Sequence, residues 1–366
     1  MLKVIIVVML LSVSARSLRM DLIYEWGNGE LDLEFPSQEF RNESIKRGSY
    51  NPNDLNINGL EVHRDRLFIT LPWSCRHFVT VTYVNLTDTS TLSPKLKPYP
   101  SWEAYFPDQQ GQRWIGQVFR VRVDRCDRLW MLGRVAGRRL RISVLDLNSD
   151  TIIKTYTFPA ALEHVYWEMW IVVEDRDCQN TFAYVNDPNS GGFWTYSWAE
   201  NRSWHNDGYE RIDAMVLAPN GDDDFSTLYY QNHTHDGSYF ISTKYLRDGS
   251  TVSSTVDLSG RRSEYVQLRA SIFDPATNFL YSTSQSFVEN MRLLPCWNKK
   301  MECHVEGIRG MTLNVDSDTE FGDDMAVDGR GGLWMEAKRG SRTTILKFSP
   351  SLEISNVIET RVYYYY

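Results

Sequence analysis

One pattern recurs six times along the chain, and it constrains the fold more than any other feature. Each copy contains an apolar run, a turn with Asp, Asn or Gly, and a second apolar run. An aromatic residue is the first or second residue of the second run. The second runs begin 62, 53, 46, 52 and 53 residues apart, at Leu67, Leu129, Phe182, Leu228, Leu280 and Leu333. A period of about 50 residues is typical of β-propellers, in which each repeat forms one blade.

One copy of the repeat divides into four short strands, over residues 118–124, 129–133, 141–147 and 152–158. Six copies predict an all-β, six-bladed β-propeller with four-stranded antiparallel blades around a central channel. Residues 21–35 are expected to supply the strand that closes the ring. A pair of β-sandwiches is the alternative, but the repeat runs from end to end and argues against it. An aromatic content of 13% agrees with a fold rich in strands.

The start of the chain has the pattern of a secretory signal peptide. Lys3 precedes an apolar run over residues 4–11, and small residues follow it, so residues 1–17 are predicted to be removed. Residues 18–366 are then expected to form a single secreted propeller. No later segment reaches the length of about 20 apolar residues that spans a membrane. Four glycosylation sequons agree with export, at Asn42, Asn85, Asn201 and Asn232.

The charge balance excludes one class of partner. The chain has 39 basic and 47 acidic residues, a net charge of −8, and it contains no basic block. Nucleic acid is therefore not an expected partner.

The five cysteines are expected to pair in an oxidising compartment, although an odd number leaves one over. We expect disulfides between Cys126 and Cys178 and between Cys296 and Cys303, with Cys75 free. The second pair closes a short loop, so its absence is an open alternative. None of the cysteines lies in a zinc-binding arrangement.

Propeller geometry places a candidate site at the channel mouth, where the first strand of each blade begins. The polar residues near these positions are Asn58, Gln117, Arg120, Glu168, Asp213, Gln267, Arg269, Asp323 and Asp324. We expect catalytic carboxylates at Asp213, Asp323 and Asp324, and ligand contacts from Arg120, Gln267, Arg269 and Phe321. Carboxylates with aromatic walls suit a small aromatic amine or a catechol. The alternative is that these residues are merely solvated.

Motifs for metals and cofactors are weak or missing. His233 and His235 lack further ligands, and residues 316–322 depart from a calcium-binding loop. Neither a nucleophile elbow nor a phosphate-binding glycine loop is present. We therefore predict no metal and no cofactor.

Motifs in order along the chain resemble the yellow and major royal jelly protein family of insects. A representative one is Asp124-x-Cys126-x-Arg128-Leu129-Trp130. The other segments that carry the resemblance are residues 24–26, 64–72, 99–103, 118–120, 177–187, 203–204, 228–229, 242–246, 296–298 and 324–334. The resemblance implies a secreted six-bladed propeller. Family functions include dopachrome conversion in melanin synthesis, biogenic amine binding, nutrition, and structural roles in cuticle or eggshell.

The chain also departs from the family pattern near the expected mouth. Residues 73–80 replace a Gly-Val-Pro segment, Gly133 stands where an Asp is common, and residues 209–213 replace an Asp-Gly-Ile segment. A ligand specificity known for one member is therefore not transferable.

Three hypotheses follow for the function. The first is a dopachrome isomerase, with a carboxylate base and with Arg120 or Arg269 holding the substrate carboxylate. The second is a non-catalytic binder of biogenic amines. The third is a structural protein of the extracellular matrix in cuticle or eggshell, with crosslinks through the terminal tyrosines at 363–366. A frayed tail without a role is the alternative explanation of those tyrosines.

Overall fold

The computed structural model describes most of the predicted repeats. The described residues are 20–72, 78–106, 115–135, 139–161, 169–187, 189–207, 209, 212–219, 224–232, 238–249, 256–257, 267–275, 279–285, 292–296 and 319–349. The predicted signal peptide, the terminal tyrosines, Cys75, Cys303, Glu168 and the segment with His233 and His235 lie outside them.

The described residues form a β-propeller of antiparallel sheets. Sheet 1 contains β2 (Gly59–His63), β3 (Arg66–Thr70), β4 (Val81–Asn85) and β5 (Lys97–Pro98). Sheet 2 contains β6 (Gln117–Val123), β7 (Arg128–Val135), β8 (Arg139–Asp146) and β9 (Thr151–Ala161). Sheet 3 contains β10 (Ile171–Glu174), β11 (Phe182–Asn186), β12 (Phe193–Ser197) and β13 (Arg202–Asn206).

The other three sheets continue the order of the chain. Sheet 4 contains β14 (Ile212–Pro219), β15 (Ser226–Asn232), β16 (Ser238–Ser242) and β17 (Val256–Asp257). Sheet 5 contains β18 (Gln267–Asp274), β19 (Phe279–Gln285) and β20 (Arg292–Cys296). Sheet 6 contains β21 (Thr319–Val327), β22 (Leu333–Arg339), β23 (Arg342–Phe348) and β1 (Asp21–Trp26). Four-stranded antiparallel blades are thus confirmed for five sheets, and sheet 5 has three strands in its described part. Six complete blades remain a prediction.

The N-terminal strand closes the ring, as the sequence predicts. β1 pairs antiparallel with β23, so Trp26 lies opposite Thr343 and the first strand completes the last sheet. Only residues 21–26 of the predicted stretch 21–35 form this strand. Trp26, the last residue of β1, also contacts the neighbouring sheet 1, because its Nε1 donates a hydrogen bond at 2.9 Å to Pro94 O between β4 and β5.

Few helices accompany the strands. α1 (Gln38–Lys46) begins after Ser37, whose hydroxyl accepts a hydrogen bond from Phe40 N, and α2 (Thr243–Asp248) ends at Gly249 with φ 64°. Short 3₁₀ turns occupy Pro52–Asp54 and Glu103–Tyr105. In the described part of the chain, no helix is long and apolar enough to cross a membrane.

The Asp and Trp of the sequence repeat form a turn that joins first and second strands. Asp124 Oδ1 accepts hydrogen bonds from backbone N–H groups of its turn, and Oδ2 accepts one from Trp130 Nε1 at 2.7 Å. Asp328 and Trp334 repeat this arrangement at 2.9 Å in sheet 6. The carboxylate thus fixes the turn and the indole ring together, which explains why both residue types recur.

One of the two predicted disulfides is confirmed. Cys126 and Cys178 are bonded, with Cα atoms 5.8 Å apart, and join the turn after β6 to the turn after β10. The bond therefore ties two neighbouring sheets together. The backbone of Cys296 ends β20, and its pairing with Cys303 remains a prediction because Cys303 lies outside the described residues.

The sequons differ in exposure. Asn42 on α1 and Asn201 in the turn between β12 and β13 are exposed, whereas Asn85 at the end of β4 is half-buried. The backbone of Asn232 ends β15, and its side chain lies outside the described residues. Glycosylation at all four positions remains a prediction.

Candidate functional site

Four inner strands carry a β-bulge near the point where they begin. An extra residue separates Val118 from Arg120 in β6, Ile212 from Ala214 in β14, and Leu268 from Ala270 in β18. In β21, three residues between Phe321 and Met325 lie opposite one residue of β22. Bulges interrupt the alternation of side chains and turn them in new directions. The same end of the ring therefore departs repeatedly from regular strand geometry.

The predicted site residues coincide with these bulges. Asp213 and Arg269 are the extra residues of β14 and β18, Arg120 directly follows the bulge of β6, and Asp323 and Asp324 lie within the bulge of β21. The side chains of Asp213, Gln267 and Arg269 lie outside the described residues. Sequence reasoning thus located the positions at which the inner strands are irregular.

Arg120 connects residues of several sheets across the channel. Its guanidinium donates hydrogen bonds to Asn58 O, directly before β2 of sheet 1, and, at 3.4 Å, to Asp323 O of sheet 6. The guanidinium carbon also lies 4.8 Å from the centroid of the Trp170 ring, in a cation–π contact with the residue that precedes β10. The Arg120 side chain is only 1% exposed. Arg120 therefore belongs to a buried layer beneath the mouth and not to an open contact surface. We call this layer, which includes Arg120 and Trp170, the floor.

Asp324 is the main anionic partner in this floor. It accepts two hydrogen bonds from Arg122, at 3.1 and 2.6 Å, and a third from Leu60 N at 3.2 Å. Arg120 Nε lies 3.9 Å from the same carboxylate. A Cβ on Gly59 would lie 2.8 Å from Asp324 Oδ2, so this glycine provides the space for the carboxylate. Asp324 is 3% exposed and is engaged within the channel wall.

Glu61 adds a second buried carboxyl group that the sequence analysis missed. Its Oε1 accepts a hydrogen bond from Val62 N at 3.1 Å, and its Oε2 lies 4.0 Å from Arg122. Burial raises the pKa of Glu61 to about 7, although the nearby Arg122 charge opposes this shift. The available signal was an acidic residue within the otherwise apolar run of β2.

Asp323 and Phe321, the other two predicted residues of β21, lie in different environments. Asp323 is exposed, and its backbone carbonyl accepts the hydrogen bond from Arg120. Phe321 is 2% exposed and belongs to a core cluster with Met325. Among the predicted residues with described side chains, Asp323 is therefore the carboxylate that can meet a ligand from solvent.

Trp170 was not predicted from the sequence, yet it forms the aromatic part of the floor. Its backbone N–H donates to Asn186 Oδ1 at 2.7 Å, which fixes the start of β10. Its indole Nε1 is buried and has no hydrogen-bond partner among the described residues. The sequence signal was a Trp directly before an inner strand.

A histidine between two carboxylates lies near the turn after β11. His205 Nδ1 is 2.5 Å from Asp207 Oδ1, and Nε2 is 3.2 Å from Asp187 Oδ2. Asp187 raises the pKa of His205 more than partial burial lowers it. Burial disfavours ionised Asp187, but the contact with His205 and the hydrogen bonds from Ser190 Oγ and Asn189 N outweigh this effect and lower the pKa of Asp187 to about 2. The Trp194 ring centroid lies 4.7 Å from the His205 ring.

We expect His205 to stabilise the fold more at acid pH than at alkaline pH. Because its pKa is raised in the folded state, the contribution is present below about pH 6.5 and is lost as pH rises through the folded value. Urea unfolding of the wild-type protein and His205→Gln, followed by tryptophan fluorescence, measures the difference. A stability gap that grows toward alkaline pH would contradict the assignment.

No metal site emerges from the described ranges, in which no group of three or more His, Cys, Asp or Glu could hold an ion.

Comparisons with known proteins agree with the motifs described above. A family model described as major royal jelly protein matches residues 117–207. Protein yellow of Drosophila subobscura is 27% identical over 374 residues, which cover 92% of this chain and 64% of the relative. Protein yellow of Drosophila melanogaster is 26% identical over 355 residues, covering 86% and 64%. The chain therefore spans about 64% of the length of these relatives.

Solved structures are more distant in sequence. A luciferin-regenerating enzyme aligns with 10% identity and a TM-score of 0.47, covering 83% of this chain and 93% of that chain. This likeness carries no information about chemistry.

Proposed function

We propose that this protein, which belongs to the yellow and major royal jelly protein family, is secreted and acts in pigment formation. In this role it would bind a small catechol or indole compound. The observation that supports this most is the bulged end of the inner strands. There Arg120 lies on the Trp170 ring, and the exposed Asp323 stands beside them. A carboxylate next to a cationic and aromatic floor suits a flat, polar aromatic ligand.

The proposal includes dopachrome isomerisation as the reaction. Isomerisation moves protons from ring carbons to quinone oxygens, so it needs a base and an acid beside a flat substrate but neither an oxidant nor a reductant. Asp323 is the proposed base because its carboxylate is exposed. Arg120 is already engaged by backbone carbonyls and supports the floor, so Arg269 is the proposed partner of the substrate carboxylate.

We also propose that sheet 5, which has three strands in its described part, is a complete blade, so that the propeller has six blades. β18 neighbours both β14 and β21, so the inner strands follow one another around the ring without a gap. A fourth strand after β20 would complete this blade.

Asp323→Asn is expected to slow dopachrome conversion by about 10²-fold, because general base catalysis typically contributes at least that much. The assay follows dopachrome absorbance with secreted, purified protein against a heat-killed sample. Glu320→Gln is the matched control, since Glu320 is an exposed carboxylate on the same strand. Decay no faster than in the heat-killed sample would contradict the enzymatic role.

Amine binding is the second candidate, and the exposed Asp323 carboxylate near an aromatic floor favours it. An ammonium group would pair with the Asp323 carboxylate at the mouth. Calorimetry with dopamine, serotonin and octopamine tests this, and the absence of heat at high protein concentration would reject it. A structural role in cuticle or eggshell remains a prediction from the sequence.

A further inference from the structure

A second carboxyl group lies behind the bulge that carries Asp323. Glu336 is on β22, between Met335 and Ala337, which pair with Met325 and Phe321 on either side of the bulge. The three bulge residues therefore lie opposite Glu336. A Cβ on Gly322 would overlap Glu336 Oε2, so the missing side chain at Gly322 makes room for this carboxyl group.

Glu336 is a buried carboxyl group, and one of its two oxygens is unpartnered in the described part of the chain. The residue is 5% exposed, and its Oε1 has no hydrogen-bond partner among the described residues. Buried polar side chains are nearly always hydrogen-bonded, because an unpaired one costs free energy. By contrast, the buried Asp324 close by accepts bonds from Arg122 and from backbone. Glu336 is thus an exception that structural support alone does not explain.

The burial of Glu336 favours a proton on its carboxyl group near neutral pH. Burial raises the pKa of Glu336 to about 7, the exposed Lys338 opposes the shift, and Asp323 adds to it. A carboxylic acid that keeps its proton near neutral pH can donate that proton in a reaction.

We propose that Glu336 and Asp323 form an acid–base pair across the β21 bulge, in which Asp323 accepts a proton from the bound aromatic compound and Glu336 donates one to it. This inference rests on the proposed function. In the isomerisation, Asp323 takes a proton from a ring carbon, and the C–H electron pair moves into the ring system. A quinone oxygen then takes the proton of Glu336. Each C–H bond that breaks is matched by one new O–H bond, and proton return from Asp323 to Glu336 restores the pair.

The first test needs no ligand. Infrared titrations of the full protein and of Glu336→Gln should differ by the carbonyl band of one protonated carboxyl group, which disappears near neutral pH. The band of Glu61, whose pKa burial also raises to about 7, is present in both proteins and cancels in the difference. Asp323→Asn should move the midpoint of the Glu336 band to lower pH, because the variant removes a neighbouring negative charge. Lys338→Gln should move it to higher pH, because a positive charge is removed. A difference spectrum without a titrating carboxyl band, or a band whose midpoint does not move in either charge variant, overturns the pair.

The second test measures dopachrome conversion across the pH range. Glu336→Gln should slow the reaction by about 10²-fold and remove the fall in rate above neutral pH, whereas Glu336→Asp should restore part of both. A merely structural role would lower the rate without changing the shape of the pH profile, which would overturn the acid assignment. If the wild-type protein converts dopachrome and Glu336→Gln does so equally, only the role of Glu336 fails. If the wild-type protein does not convert dopachrome, the proposed function and the catalytic pair fail together.

Discussion

Asp324→Asn is expected to lower the free energy of unfolding by about 3 kcal/mol or more, because removing one partner of a buried ion pair leaves uncompensated charge. Asn has nearly the same shape and keeps an oxygen for Leu60 N, so the change isolates the loss of charge. It would leave the buried Arg120 without the carboxylate beside it and the half-buried Arg122 with Glu61, at 4.0 Å, as a remaining acidic partner. Urea unfolding of the purified protein measures the change.

Asp323→Asn is the matched control for this prediction. The same chemical change one residue earlier affects an exposed carboxylate, whose contribution to stability is expected to be below about 1 kcal/mol. Equal losses of unfolding free energy in the two variants would show that the buried ion pair of Asp324 is not the main contributor to the loss. The comparison also separates stability from chemistry, since Asp323→Asn is expected to slow dopachrome conversion while it keeps its stability.

The strand order of the propeller could be predicted from the sequence because its determinants are local. The six predicted second runs begin within two residues of β3, β7, β11, β15, β19 and β22. Each of these second strands is indicated by an apolar run. In several repeats an Asp that binds the backbone of its own turn marks the turn before the strand. Asp124 and Trp130 are six residues apart, so sequence spacing alone indicates the contact.

The candidate site was predictable only in part, because its contacts are distant along the chain. Arg122 and Asp324 are 202 residues apart, and no local pattern indicates that they bind each other. Sequence reasoning therefore assigned Asp324 to catalysis and Arg120 to ligand contact, whereas the structure engages both within the buried floor. The burial of Glu61 and Glu336 depends on neighbouring strands in the same way, and the bulges depend on pairing register rather than on residue type.

Gly133→Asp is expected to destabilise the fold by about 3 kcal/mol or more, at or beyond the upper end of typical overpacking costs. The expectation concerns a position at which this chain departs from the pattern of the family that it resembles, in which an Asp is common there. In this structure a Cβ on Gly133 would overlap Gln117 O and lie 2.9 Å from Val118 Cα, both of them backbone atoms of β6. A strand backbone cannot rotate away as a side chain can, so β6 and β7 would have to separate. Urea unfolding measures the loss.

Gly329→Asp is the matched control, because a Cβ there meets nothing within 4 Å and the residue lies in an exposed turn. It should change stability by less than about 0.5 kcal/mol. The close approach at Gly133 occurs opposite Val118, where the bulge that precedes Arg120 begins. Forcing the strands apart should therefore also move Arg120 away from Trp170, which a change in tryptophan fluorescence would report in the folded variant. A Gly133→Asp protein as stable as Gly329→Asp would contradict this account, because it would show that the family Asp fits between β6 and β7 without displacing either strand.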